Sequence, residues 1–155
     1  HLAVVVDDHH VRALPGALEL VAALADNPWA RLGIVTGNAG PSAPVKLRAA
    51  GFDPQDFPVG AYGHEAMDRS LLPPLALQRA VEYWRVSFAP ERIVVVGDTP
   101  NDVICTRSVG GRALAVLTGW SDRAALEAEA PYAILDDLTD YALVEKVLFG
   151  EDKNG

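Results

Sequence analysis

At 155 residues, 50% hydrophobic and 22% charged, the chain has the size and balance of one globular domain with an ordinary core. Its formal net charge of −8 argues against non-specific binding to nucleic acid or to an anionic membrane surface, although local fields still allow an anionic small-molecule substrate. The single cysteine, Cys105, excludes an internal disulfide and a cysteine zinc cluster; no run approaches the ~18 apolar residues of a membrane span and no signal peptide is visible, so a cytoplasmic setting is expected.

Leu2-Ala-Val-Val-Val6 is a short apolar run that ends in Asp7-Asp8-His9-His10 and reads as a strand or the end of a helix. Pro15-Gly16 opens a helix through Ala25, broken at Asn27-Pro28. Arg31 to Val35 reads as a buried strand with Thr36-Gly37-Asn38 at its carboxyl end. Ser42 is placed to cap a helix to Ala50, and Gly51 suits its stop. Phe52 to Leu72 is loop-rich, with a short strand near Val59. Pro73-Pro74 fits the first turn of a helix to Trp84. Ile93 to Val96 is the clearest buried strand, and Pro100 starts the next helix, which runs to Val109 and ends at Gly110-Gly111. Ala113 to Val116 is another strand, followed by Thr118-Gly119-Trp120. Ser121 is placed to cap a helix from Arg123 to Ala130, Ala133 to Leu135 forms a last short strand, and Thr139 to Phe149 a last helix. Strands alternating with helices of roughly 8–13 residues predict βα units around a parallel sheet, hence an α/β fold.

In an open parallel sheet, ligands bind outside the carboxyl ends of the strands. Three polar clusters fall there: Thr36-Gly37-Asn38, Asp98 to Asp102, and Thr118-Gly119. Helix N-termini beside them offer N–H groups and partial positive charge to a phosphate. Asp98 closes a β-branched run, and Asp102 follows four residues later on a helical first turn, able to point back to the same place. Two close carboxylates call for a cation or a proton, and hard oxygen ligands beside a phosphate suit Mg²⁺. The alternative is a helix cap with a first-turn dipole partner.

Val95-Val96-Gly97-Asp98-Thr99-Pro100-Asn101-Asp102 resembles motif IV of the haloacid dehalogenase (HAD) superfamily, and Gly33-Ile34-Val35-Thr36-Gly37-Asn38 resembles its motif II. Leu14-Pro15-Gly16 ahead of a helix is similar to phosphoglycolate-phosphatase-like members, and the resemblance runs from Leu14 to Phe149. It implies a three-layer Rossmann-like core with a mostly parallel sheet and a cap domain absent or reduced to a stub. It implies that Thr36 binds the transferring phosphoryl group with help from the backbone N–H groups of Gly37 and Asn38. It implies Mg²⁺ on Asp98, with Asp102 in or near the metal shell. The family's motif III cation has two candidates, Arg69 and Lys46. Arg69 is favoured because it precedes the helix leading to motif IV.

The family's motif I, D-x-D at the end of the central strand, supplies the nucleophile and the acid/base; no D-x-D occurs in these 155 residues. Two readings stay open. In one, residues 1–14 are the tail of a cap domain and motif I lies upstream. In the other, Leu2-Val6 is the central strand, Asp7 stands where a nucleophile would, and His9 replaces the acid/base. Residues 15–150 then form the core domain and 151–155 a polar tail. The expected function is a Mg²⁺-dependent phosphatase of a small phosphorylated metabolite acting through an aspartyl-phosphate, in which this chain alone is an incomplete core. The alternative is a non-catalytic Mg²⁺/phosphate-binding pseudoenzyme or interaction module. A receiver domain fits poorly, because its acidic cluster would precede the threonine strand end. His64-Glu65 lacks the second His of H-E-x-x-H, Cys105 reads as a buried apolar residue, and Trp29, Trp84 and Trp120 read as packing.

Overall fold

The computed structural model describes the backbone of residues 2–7 and the whole of residues 12–117 and 121–150. Asp8, His9, His10, Thr118, Gly119, Trp120 and the tail 151–155 lie outside the described residues, so expectations for them go no further here. The strands are β1 (Leu2–Asp7), β2 (Ala30–Thr36), β3 (Val59–Tyr62), β4 (Ile93–Gly97), β5 (Arg112–Val116) and β6 (Ala133–Leu135). The helices are α1 (Ala17–Ala25), α2 (Ala43–Ala50), α3 (Leu72–Trp84), α4 (Pro100–Thr106), α5 (Arg123–Ala128) and α6 (Tyr141–Phe149). The six strands form one sheet in the order β3-β2-β1-β4-β5-β6. Every pairing is parallel.

Side chains alternate across a strand, and the core shows that period. Leu32 and Ile34 of β2, Val94 and Val96 of β4, and Leu114 and Val116 of β5 pack with α1, α2 and α6. Val35 and Val95 face the other way onto Leu72 and Ala76 of α3. Ala113 and Ala115 pack with Val103 of α4 and Leu126 of α5. Both sheet faces are therefore covered, which is why the strands are near-continuous apolar runs. The fold is a three-layer α/β/α Rossmann-like sandwich of the HAD-core type, and no cap domain is present among the described residues.

Leu2–Asp7 takes the central slot, with Val5 opposite both Gly33 and Val95. An empty slot would leave two strand edges with unpaired backbone groups at the centre of the protein, a costly arrangement. The run therefore forms a strand and not the end of a helix.

Local capping departs from expectation at several helix ends. Ser42 stands at the start of α2 but makes no cap bond, because its hydroxyl donates to the Ala39 carbonyl at 2.9 Å. Asp122, not Ser121, caps α5 by accepting from Ala125 N at 2.7 Å. A carboxylate is the stronger acceptor for an N-terminal N–H. Asp137 holds Thr139 N at 2.8 Å in a turn, which delays α6 to Tyr141 behind its cap Asp140. α4 ends at Thr106 and continues as a 3₁₀ turn, and α5 stops at Ala128, so the helices span 6 to 13 residues. Gly51 ends α2 in the left-handed region, φ 96°, as expected. Cys105 is buried, whereas Trp29, read as packing, is 67% exposed.

Candidate active site

The carboxyl ends of β2 and β4 flank that of β1, so the threonine and the acidic loop come to one edge of the sheet. Thr36, the last residue of β2, is 1% exposed. Its Oγ1 accepts from Asn38 N at 3.1 Å and from Asn38 Nδ2 at 3.0 Å. The Asn38 backbone N–H, expected to face a phosphate, is thus turned onto Thr36, and Asn38 acts on the site through its side chain as well. Lys46 of α2 donates to Asn38 Oδ1. The loop after β3 holds this turn from the other side. Gly63 N donates to Asn38 O at 2.9 Å, and Gly40 N donates to His64 Nδ1 at 3.1 Å. The approach needs glycine, since a Cβ on Gly63 would lie 2.0 Å from Gly37 O.

At the end of β4, Asp98 is 2% and Asp102 3% exposed. Thr99 and Asp102 form a capping box on α4. Asp102 Oδ2 accepts from Asp98 N at 3.1 Å, Thr99 N at 2.9 Å and Thr99 Oγ1 at 2.8 Å. The loop is thus braced by Thr99 and Asp102. Gly97 makes room for the bracing carboxylate, because a Cβ there would fall 2.5 Å from Asp102 Cγ. Arg69 reaches Asp102 Oδ1 at 3.7 Å from a 3₁₀ turn ahead of α3. That turn is itself set by Asp68 Oδ1 accepting from Ser70 N at 2.9 Å.

The two candidate cations therefore have different partners, Arg69 the acidic loop and Lys46 the Asn38 amide. A third basic residue, Arg79 of α3, buttresses the rim. Its Nη1 donates to Gly60 O at 2.7 Å and to Glu65 Oε2 at 2.8 Å, while Glu65 Oε2 also accepts from Tyr62 N at 2.9 Å. Hydrogen bonding from Arg79 outweighs burial and holds the Glu65 carboxyl at about 2. His64 and Glu65, a broken metal motif in sequence, are structural pins for the loop after β3. Nothing in the local sequence marks them, because their partners lie 24 and 14 residues away.

The family resemblance of the acidic loop implies Mg²⁺. Among the described residues no group of three or more His, Cys, Asp or Glu could form a complete protein cage. Mg²⁺ does not need one; it takes one or two carboxylates and completes its shell with phosphate oxygens and water. The buried Asp98 at a strand's carboxyl end fits that role. Asp102 Oδ2 is committed to the loop, and its Oδ1 sits beside Arg69.

The HAD-hydrolase-like family model matches residues 72–141, just under half of the chain, and this stretch holds the acidic loop. No curated protein sequence matches. Among solved structures, a predicted phosphoglycolate phosphatase from Haemophilus somnus superposes with a TM-score of 0.68 at 23% identity, over 86% of this chain and 57% of its own. A haloacid dehalogenase-like hydrolase from Streptococcus pneumoniae gives 0.68 at 20% identity, over 86% of this chain and 60% of its own. A hydrolase from Pseudomonas syringae gives 0.68 at 21%, over 87% and 62%. At these identities the likeness is one of fold, and the chain spans 57–62% of the length of those three proteins. With its sheet order, its acidic loop after β4 and that family match over residues 72–141, the chain is similar in fold to the core of HAD-like hydrolases.

Proposed function

We propose that the protein is a Mg²⁺-dependent phosphatase of a small phosphomonoester, acting in the cytoplasm and needing neither nucleic acid nor membrane. The observation that supports it is the convergence of buried Thr36, Asp98 and Asp102 at one sheet edge, with Arg69 3.7 Å from Asp102. Thr36 and the Gly37 N–H bind the phosphoryl oxygens. Arg69 offsets charge at the acidic loop, with a guanidinium fork suited to phosphate. Asp102 keeps the loop in shape, and Asp98 carries Mg²⁺. The metal supplies charge neutralisation at the phosphoryl oxygens.

The reaction is a double displacement. A carboxylate at the end of the central strand attacks phosphorus, and the ester P–O bond breaks. The alcohol leaves with a proton from a general acid. Water then attacks the aspartyl-phosphate, releasing inorganic phosphate and restoring the carboxylate. Within this chain the carboxylate at that strand end is Asp7. The absence of D-x-D favours a second reading, in which this chain binds Mg²⁺ and phosphate without turnover and an upstream D-x-D completes the enzyme.

Turnover of p-nitrophenyl phosphate with Mg²⁺ separates these readings. It would be measured on this chain, on its Asp7→Asn variant and on a form carrying any natural upstream sequence. Activity in this chain that Asp7→Asn removes makes Asp7 the nucleophile. Activity in the extended form alone places the nucleophile upstream. Activity in neither sinks the phosphatase reading and leaves the binding module.

A further inference from the structure

We propose that Lys46 is a positioning residue for Thr36, acting through the Asn38 amide, and not a cation that contacts the phosphoryl group. The inference rests on the phosphate-binding role of Thr36 proposed above. The argument starts from donors and acceptors. An ammonium has three donors and no acceptor, so only the oxygen of the Asn38 amide can face it. Lys46 Nζ does meet Asn38 Oδ1. That choice turns Nδ2 toward Thr36, where it donates to Oγ1 at 3.0 Å. Asn38 N takes the other acceptor site of the same hydroxyl at 3.1 Å.

A hydroxyl has one proton and two lone pairs. With both lone pairs accepting, the Thr36 hydroxyl engages any further group as a donor. A deprotonated phosphoryl oxygen is an acceptor only, so the hydroxyl meets it as a donor. With the amide reversed, Oδ1 would face Thr36 and draw its proton inward. Lys46 forbids that reversal, since Nδ2 would then point at an ammonium. The charge is thus used to orient an amide, and the amide to orient a hydroxyl. Gly63 N, donating to Asn38 O at 2.9 Å, holds the backbone of the same residue while its side chain is being set.

The test is a double-mutant cycle on the dissociation constant for inorganic phosphate with Mg²⁺, by titration calorimetry. Asn38→Ala and Lys46→Met should each weaken binding about tenfold, the worth of one oriented hydrogen bond to an anion. In series, the double variant should be no weaker than Asn38→Ala alone, within about twofold. Singles that multiply toward about a hundredfold would overturn the proposal, because Lys46 would then act on phosphate independently. Lys46→Arg, which also carries only donors, should rescue binding; failure to rescue while Asn38→Ala still weakens binding also counts against it. A ligand-free reading separates this from the phosphatase assignment. In an NMR spectrum of the apo protein, the Asn38 side-chain NH₂ pair should shift from its wild-type position in Lys46→Met, with the fold intact by circular dichroism. An unmoved pair overturns the relay even if phosphate binds, and a wild-type chain that ignores phosphate while the pair moves sinks only the phosphatase reading.

Discussion

Replacing Asp102 tests whether the acidic loop is held together by its carboxylate or strained by it. Two opposing effects are present. Asp98 and Asp102 are like charges four residues apart at 2% and 3% exposure, and without a cation their repulsion destabilises the fold. Against this, Asp102 Oδ2 accepts from Asp98 N, Thr99 N and Thr99 Oγ1, all within 3.1 Å, and Arg69 lies 3.7 Å from Oδ1. In Asp102→Ala the two backbone N–H groups lose a charged acceptor at a buried site, costing about 1.5 kcal/mol each, or about 3 kcal/mol together. For a domain of this size that lowers Tm by roughly 6–12 °C. Asp102→Asn keeps one acceptor oxygen for the N–H groups but turns an amide nitrogen toward Arg69, so about 1–2 kcal/mol is lost. The bracing bonds outweigh a repulsion that Arg69 already offsets, and the expected order of stability is wild type, then Asn, then Ala. Thermal denaturation followed by circular dichroism in EDTA measures it. An Asn variant as stable as wild type, or more so, would refute the reasoning and make the loop a strained metal site.

Gly16 has φ +82°, and a Cβ there would lie 2.2 Å from the Leu138 carbonyl carbon. Gly16→Ala should therefore lower stability by about 3 kcal/mol in urea unfolding, since backbone cannot yield as a side chain can; a loss under about 1 kcal/mol would contradict the packing. Glu65 is held at about 2, below its ordinary 4.5, so its contribution is present above about pH 4.5 and fades as pH falls toward 2. With side chains 36% and 19% exposed, the Arg79–Glu65 pair is worth about 1 kcal/mol, so wild type should exceed Glu65→Gln in Tm at pH 6 and keep less than half of that margin at pH 3. A margin unchanged across that range would disprove it. Asp98→Asn should abolish Mg²⁺-dependent turnover in whichever form of the protein is active, and retained full turnover would remove Asp98 from the metal. Mg²⁺ should tighten inorganic phosphate binding, and phosphate should tighten Mg²⁺ by the same factor; equal phosphate affinity in EDTA would separate the two sites.

The parallel sheet was legible because buried strands carry β-branched runs such as Ile93 to Val96 on both faces, and because Gly51 and Gly110 stop their helices in the left-handed region. The Thr36 and Asp98 strand ends were legible for the same reason, since residues at the end of a buried run must emerge at the sheet's edge. Leu2 to Val6 was ambiguous, because five apolar residues have no distinguishing period, and only their neighbours β2 and β4 determine the strand. Partners distant in sequence were not legible. Arg79 meets Glu65 from 14 residues away and Gly60 O from 19, and Lys46 of α2 meets Asn38 from 8. The caps failed at Ser121 and Ser42, where a neighbouring Asp122 and the Ala39 carbonyl were better partners for the groups at hand.

Under the proposed function a chain of net charge −8 admits a phosphate, and the pairing of its cations bears on how. Its cations are not pooled around the ligand. Arg69 stands on Asp102, the carboxylate already consumed by the loop. Lys46 stands on a neutral amide, and Arg79 on Glu65 at the rim. Each positive charge is thus paired with the group whose position it fixes, and under the proposed function it is dipoles, the Thr36 hydroxyl and the Gly37 N–H, that meet the anion. Preorganised dipoles of this kind need no rearrangement when charge arrives, which is where such sites gain most over water. Under the proposed function, the dianion and the buried Asp98 share one cation between them. The acidity of the corner is then a requirement for Mg²⁺ and not an obstacle to phosphate.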